Sequence, residues 1–136
     1  MDDKMLPDAE ISPSEAAAEL VKKCFNTKSH QALRAKSAES PFASELGSLS
    51  FDNVFSKLWV RPGLDLRSRS LVTIGILIAL RAREELVLHF ASALANGCSI
   101  EELEEVIYHS SAYAGFPAAV CARMAAAEAL SNEGMI

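Results

Sequence analysis

The chain has 136 residues, half of them hydrophobic and only 7% aromatic, and 13 basic against 18 acidic side chains give a formal charge of −5. That is the length of one domain with an aliphatic core, and its acidic balance excludes a nucleic-acid binder, because a phosphate backbone needs a basic face. The longest apolar run, Leu71 to Leu80, is only ten residues, where a bilayer takes ~20, and Met1-Asp2-Asp3-Lys4 opens no apolar signal core. A soluble, cytoplasmic protein without a membrane partner is expected.

Residues 1 to 11 read as a frayed lead. Ser12, Pro13 and Glu15 then combine an N-cap, a proline at the first helical position and a capping-box carboxylate, which predicts a helix from Pro13 to about Phe25. Residues 26 to 50 are polar, with a short helix expected near 31–38. From Phe51 to Val60 the apolar residues Phe51, Val54, Phe55, Leu58 and Trp59 recur at helical steps, and Arg61, Pro62 and Gly63 end that element. Asp65 is a suitable N-cap for a helix over Leu66 to Leu80. Leu71 to Leu80 is apolar on all sides and so is expected to be buried all round. A bend is expected at Arg81 to Glu85, then helix again to Asn96, with Asn96-Gly97 as a left-handed end. Ser99 and Glu102 form a second capping box that starts a helix to about Ala114. Gly115, Phe116 and Pro117 interrupt, and an alanine-rich last helix runs from Pro117 or Ala118 to about Leu130.

No segment alternates with the period of a strand. The expected fold is all-α, a single helical domain of about six helices. Residues 1–50 form an N-terminal extension of one or two helices packed on a core of residues 51–136. The second half carries more apolar surface than a domain of this size can cover, so self-association is expected.

Chemistry-bearing residues concentrate around the apolar run. On a continuous helix Arg81, Glu85 and His89 would share one face, and such groups on a buried helix need water, a partner or a catalytic task. Cys24, Cys98 and Cys121 are odd in number and far apart, which suggests free thiols; no C-x-x-C, metal-ligand spacing or nucleotide fingerprint occurs.

The run Trp59 to Leu71 (W-x-R-P-G-L-D-x-R-x-R-S-L), residues 84–89, 93–97 and 99–103, and the Tyr113 to Ala119 turn follow one another in the order and spacing of a known family. Together they resemble the carboxymuconolactone decarboxylase family over about Phe51 to Leu130. The resemblance implies an all-α fold, homo-oligomers such as trimers or hexamers, and no cofactor or metal. It also implies a decarboxylase of aromatic-acid catabolism, a carbon–carbon lyase acting on a small carboxylated lactone such as 4-carboxymuconolactone, or on a related unsaturated or oxo acid. The peroxidase branch of the family carries C-x-x-C before its histidine. Aligned on His89, those cysteines fall at Ala82 and Glu85, and that branch's acidic residue falls at Ser70, so a thiol peroxidase is disfavoured. A non-catalytic oligomeric binding or scaffold protein of the same fold is the alternative.

The implied reaction needs a cation for the substrate's carboxylates, a donor for the developing oxyanion and an acid to protonate carbon. His89 is the candidate proton donor, with Glu85 one turn earlier holding its tautomer, raising its basicity or acting as the acid itself. In a purely structural role His89 would be a hydrogen-bonded core histidine and Glu85 a surface partner of Arg81. Arg69 is the candidate carboxylate clamp, with Arg67 a weaker one. Tyr113 and His109 repeat the four-residue spacing on the next helix and are candidates for substrate binding, or for plain packing and solvent exposure. Trp59 is a pocket wall or core.

Overall fold

The computed structural model describes residues 11–37 and 40–136, and every regular element among them is helical. The elements are α1 (Pro13–Cys24), α2 (Lys28–Ser37), α3 (Leu46–Ser50), a π-helical stretch π1 (Phe51–Trp59) that continues α3 without a break, α4 (Leu66–Leu80), α5 (Arg83–Ala95), α6 (Ile100–Ala114) and α7 (Phe116–Asn132). The expected fray over residues 1 to 11 lies outside the described residues except for Ile11, which is exposed.

Local chemistry sets most boundaries. At α1 the Ser12 amide donates to Glu15 Oε2 at 2.9 Å, and the Glu15 amide donates to Ser12 Oγ at 3.2 Å. Both halves of the expected capping box are therefore made. The same reciprocal pair opens α6, where Ser99 N donates to Glu102 Oε2 at 2.9 Å and Glu102 N donates to Ser99 Oγ at 3.1 Å. Asp65 caps α4 by accepting from the Ser68 amide at 2.8 Å. Gly97 takes φ +94 just beyond α5, and Gly115 takes φ +92 between α6 and α7, a region that L side chains rarely adopt.

Helices α4 to α7 pack mutually around one core. Ile74, Ile78, Leu86, Phe90, Leu103 and Ile107 fill it, and Ala118, Ala122, Ala125 and Ala129 form a smooth stripe on α7. Without longer side chains on that stripe, α7 comes close to α5, its main neighbour. A second, smaller core joins α1 to π1 through Leu20, Cys24, Phe25 and Trp59. The start of α2 is tied to the end of α7. Glu133 Oε1 accepts from Ser29 N at 3.0 Å and from Ser29 Oγ at 3.2 Å, and Asn132 Nδ2 donates to Ser29 Oγ at 3.2 Å. The N-terminal segment is thus fastened at two places over one flank of the four-helix core.

Four expectations are corrected. The fold has seven α-helices plus π1 among the described residues, rather than about six. The Phe51–Val60 element is π-helical rather than α-helical: it inherits its start from α3 with no side-chain cap at Ser50, and Asn53 Nδ2 donates to the Leu49 carbonyl at 2.8 Å. Arg81 does not extend the α5 stripe. It is the left-handed C-cap of α4 (φ 53, ψ 36), so the stripe begins at Glu85. The apolar run is not buried all round within one chain. Ile74 and Ile78 are sealed at 0%, but Val72, Ile76 and Leu80 stand 55%, 55% and 69% exposed on the opposite side of α4.

The α6 capping box carries a direct prediction. Ser99→Ala removes the acceptor for the Glu102 amide, and should lower unfolding free energy by about 1 kcal/mol in a urea titration. Ser99→Asp should recover most of that loss.

Candidate functional site

A cavity of about 720 Å³ lies between the four-helix core and the N-terminal segment. Its walls come from α1, α2, α3 with π1, α4 and α5. Apolar side chains dominate: Val21, Phe25, Phe51, Val54, Phe55, Leu58, Trp59, Leu64, Val72 and Leu88. The polar groups that reach it include His30, Arg34, Arg69, Thr73, Glu85 and His89. Four of the six site residues expected from sequence, His89, Glu85, Arg69 and Trp59, therefore meet in one place.

Arg69 is positioned by the loop that precedes α4. Its Nε donates to the Leu64 carbonyl and its Nη2 to the Arg61 carbonyl, each at 2.9 Å. The Pro62-Gly63 turn wraps the chain around the guanidinium, and Asp65 fixes the helix start below it. Two of five N–H groups are committed in this way, which leaves three on a residue that lines the cavity. Arg67, two residues earlier and on the far side of the helix start, instead pairs with Glu102 and braces α4 against the start of α6.

His89 lies on α5 with its side chain 15% exposed. Its ring stacks on Trp59 (centroids 6.3 Å apart, planes at 24°) and meets Phe25 edge-on at 5.8 Å. Nδ1 is buried without a hydrogen-bond partner. Nε2 is 4.0 Å from Glu85 Oε2, beyond hydrogen-bond length. Burial among these rings pushes the His89 pKa down from 6.5 to about 4. Two expectations are revised here. Glu85 does not raise the basicity of the ring, because its carboxylate is too distant and largely in water while desolvation dominates. Nor is His89 a hydrogen-bonded core histidine, since one nitrogen has no partner and a cavity lies beside the ring.

His109 and Tyr113 are not brought to the cavity. Helix α6 turns Leu103 and Ile107 inward, which leaves His109 and Tyr113 on its outer side, ring against ring at 5.1 Å, with Tyr113 82% exposed. Within one chain they touch nothing of the site. The three cysteines are free, as expected, and Cys98 Sγ points to the Arg67 carbonyl at 3.8 Å. Among the described residues no group of histidine, cysteine and carboxylate side chains could hold a metal ion, and no helix is long and apolar enough to cross a membrane.

Sequence reasoning missed His30 and Arg34, both from α2. The one available signal was Thr27. Its carbonyl accepts from Gln31 N at 3.0 Å and its Oγ1 accepts from His30 N at 3.4 Å, so it caps a helix whose first turn carries His30. Arg34 is held back toward the α1–α2 turn, with Nη1 donating to Asn26 Oδ1 at 2.6 Å and Nη2 to the Phe25 carbonyl at 3.1 Å.

Within an all-helical fold, a histidine and a clamped arginine thus line one largely apolar cavity of small-molecule size. Residues 47–129 match the family model of the carboxymuconolactone decarboxylase family. The chain belongs to that family. It is 42% identical over 81 residues to a 4-carboxymuconolactone decarboxylase of Acinetobacter baylyi, a match that covers 60% of either chain. It is 36% identical over 81 residues to a nitrosuccinic acid decarboxylase of Metarhizium robertsii, covering 60% of this chain and 57% of that one. The chain thus spans less than two thirds of the length of these curated relatives, and α1 and α2 precede the family match.

Burial of the two cavity histidines predicts acid sensitivity. Between pH 6.5 and about 4 the unfolded chain binds a proton at His89 that the folded protein refuses. Stability is therefore full above pH 6.5 and falls with pH through that window, by about 1.4 kcal/mol per pH unit. His30, also lowered to about 4 but more open to water, adds a smaller loss of the same sign. Urea midpoints measured from pH 7 to 4.5 should show this slope, and the His89→Gln variant should flatten most of it.

Proposed function

We propose that this protein is a cofactor-independent decarboxylase of a small acid carrying more than one carboxylate, with 4-carboxymuconolactone as the first substrate to test. The observation that carries the reading is the convergence of Arg69 and His89 on a single cavity whose remaining walls are mostly apolar. Family membership and two relatives named as decarboxylases support it.

The chemistry follows from the groups present. Arg69 binds one carboxylate through its remaining N–H groups and orients the substrate. The carboxylate that leaves sits toward the apolar walls, where its charge is poorly solvated and loss of carbon dioxide disperses it. The electrons left behind move into an acceptor conjugated with the reacting carbon. In 4-carboxymuconolactone that acceptor is the lactone carbonyl, and in nitrosuccinic acid it is a nitro group. Both are electron-accepting oxygens beside a dicarboxylate frame.

His89 closes the sequence. Nδ1 is sealed, so protons enter and leave the ring at Nε2, which lies 4.0 Å from Glu85 Oε2, and the resting neutral ring offers its lone pair there. In the empty cavity the ring is neutral. An anionic substrate reverses the cost of burial, since a nearby negative charge favours imidazolium. The ring takes up a proton as substrate binds and delivers it to carbon once carbon dioxide has gone. Glu85, at the cavity edge, stands between this ring and solvent as the route by which the proton returns.

The exposed row Val72, Ile76 and Leu80 supports self-association as the way α4 is covered. Val72 lines the cavity as well, so a second copy seated there would also narrow its mouth.

The test is carbon dioxide release from 4-carboxymuconolactone and from nitrosuccinic acid. Arg69→Ala should raise KM strongly, and His89→Ala should lower kcat by roughly 10²–10⁴ with the fold and oligomer intact by circular dichroism and gel filtration. Full activity in His89→Ala would remove it as proton donor. Separately, Ile76→Glu should reduce the mass seen by light scattering toward that of one chain; an unchanged mass would place the contact elsewhere.

A further inference from the structure

Resting on the decarboxylase reading, we propose that His30 is a second substrate-touching residue of the cavity, an uncharged Nε2–H donor set by Thr27 that hydrogen-bonds the electron-accepting oxygen of the substrate. His30 comes from α2, before the stretch that matches the family, so this donor belongs to the N-terminal segment of this chain.

The geometry assigns the tautomer. Thr27 Oγ1 and His30 Nδ1 are 2.7 Å apart. That separation suits a hydroxyl donor and lies at the short end of the N–H···O range of about 2.7–3.2 Å. The same hydroxyl oxygen accepts from the His30 amide at 3.4 Å. One of the hydroxyl's two lone pairs faces the amide, its proton is free to give, and the acceptor in reach is Nδ1. The proton of the neutral imidazole then resides on Nε2, at the ring edge away from Thr27, where the ring lines the cavity.

The ring is also held. Phe25 meets it edge-on, with centroids 6.0 Å apart and planes at 85°. Its neighbour Ser29 is almost fully buried and fastened to Glu133 through both its amide and its hydroxyl. A donor anchored by α7, α1 and its own helix cap needs little reorganisation as charge develops beside it. Burial, together with the nearby His89 and Arg34, lowers its pKa to about 4, against a smaller opposing effect of Glu133. It is therefore uncharged near neutrality. A neutral donor suits an oxygen that gains charge only during reaction. The pre-existing carboxylate goes to Arg69. The two residues thus divide the substrate, guanidinium for the fixed charge and imidazole for the nascent one.

Two measurements test this. In the first, long-range 1H–15N spectra of 15N-histidine-labelled protein should show His30 as the Nε2–H tautomer. Adding 3-nitropropanoate, which carries a carboxylate and a nitro group, should shift its Nε2–H resonance downfield, whereas propanoate should not. An Nδ1–H tautomer, or the same response to both ligands, overturns the proposal without reference to turnover. In the second, wild-type release of carbon dioxide from either substrate establishes the decarboxylase reading on its own. Given that activity, His30→Phe should lower kcat by roughly 10²–10³ with little change in KM. His30→Gln, which keeps a terminal N–H donor, should recover part of the loss, and Thr27→Val should fall between wild type and His30→Phe. Unchanged kcat in His30→Phe overturns the assignment.

Discussion

The desolvation of one imidazole is the constraint around which the site is arranged. His89 is pressed between Trp59 and Phe25, one nitrogen is sealed without a partner, and its pKa is driven to about 4. A buried polar atom left unsatisfied costs free energy that the rest of the fold must offset. Here the offset comes from two cores that meet at this ring. The four-helix core holds α5 rigid from behind, and the Leu20–Cys24–Phe25–Trp59 cluster closes from the front. If either loosened, water would reach the ring and its pKa would relax toward 6.5.

The same constraint explains the division between the two parts of the chain. Arg69 and His89 lie on α4 and α5 within the family match, yet neither closes a cavity by itself. Phe25, His30 and Arg34 supply the opposite wall from α1 and α2. The hydrogen bonds of Ser29 to Glu133, 104 positions away in the chain, hold that wall to the end of α7. The groups on the family-matched helices are thus enclosed by a segment that precedes the match.

Much of the fold was legible in the sequence because it is written in local chemistry. The Ser12–Glu15 and Ser99–Glu102 boxes, the Asp65 cap and the glycines at 97 and 115 act within a turn of themselves, and their consequences appeared where expected. The π-helical register of Phe51–Trp59 was not legible, because Phe51, Val54, Phe55 and Leu58 spell an apolar stripe whichever hydrogen-bond register the backbone takes. The four-residue spacing placed Glu85 and His89 on one face correctly. It failed for Arg81, where the helix had already turned left-handed. It also failed for His109 and Tyr113, since spacing says nothing of which way α6 is rolled against its neighbours. His30 and Arg34 were hidden because a wall formed by tertiary docking of a polar helix leaves no periodic trace. The exposure of Val72, Ile76 and Leu80 was legible only as an excess of apolar surface, without the residues that carry it.

The account turns on the ring being neutral when the cavity is empty and charged when an anion enters. Calorimetric titration with succinate near pH 6.5, repeated in buffers of different ionisation enthalpy, reads that change directly. Uptake of roughly one proton per site on binding, lost in His89→Gln, is the predicted result. Binding with no proton uptake, or uptake that survives in His89→Gln, would contradict it.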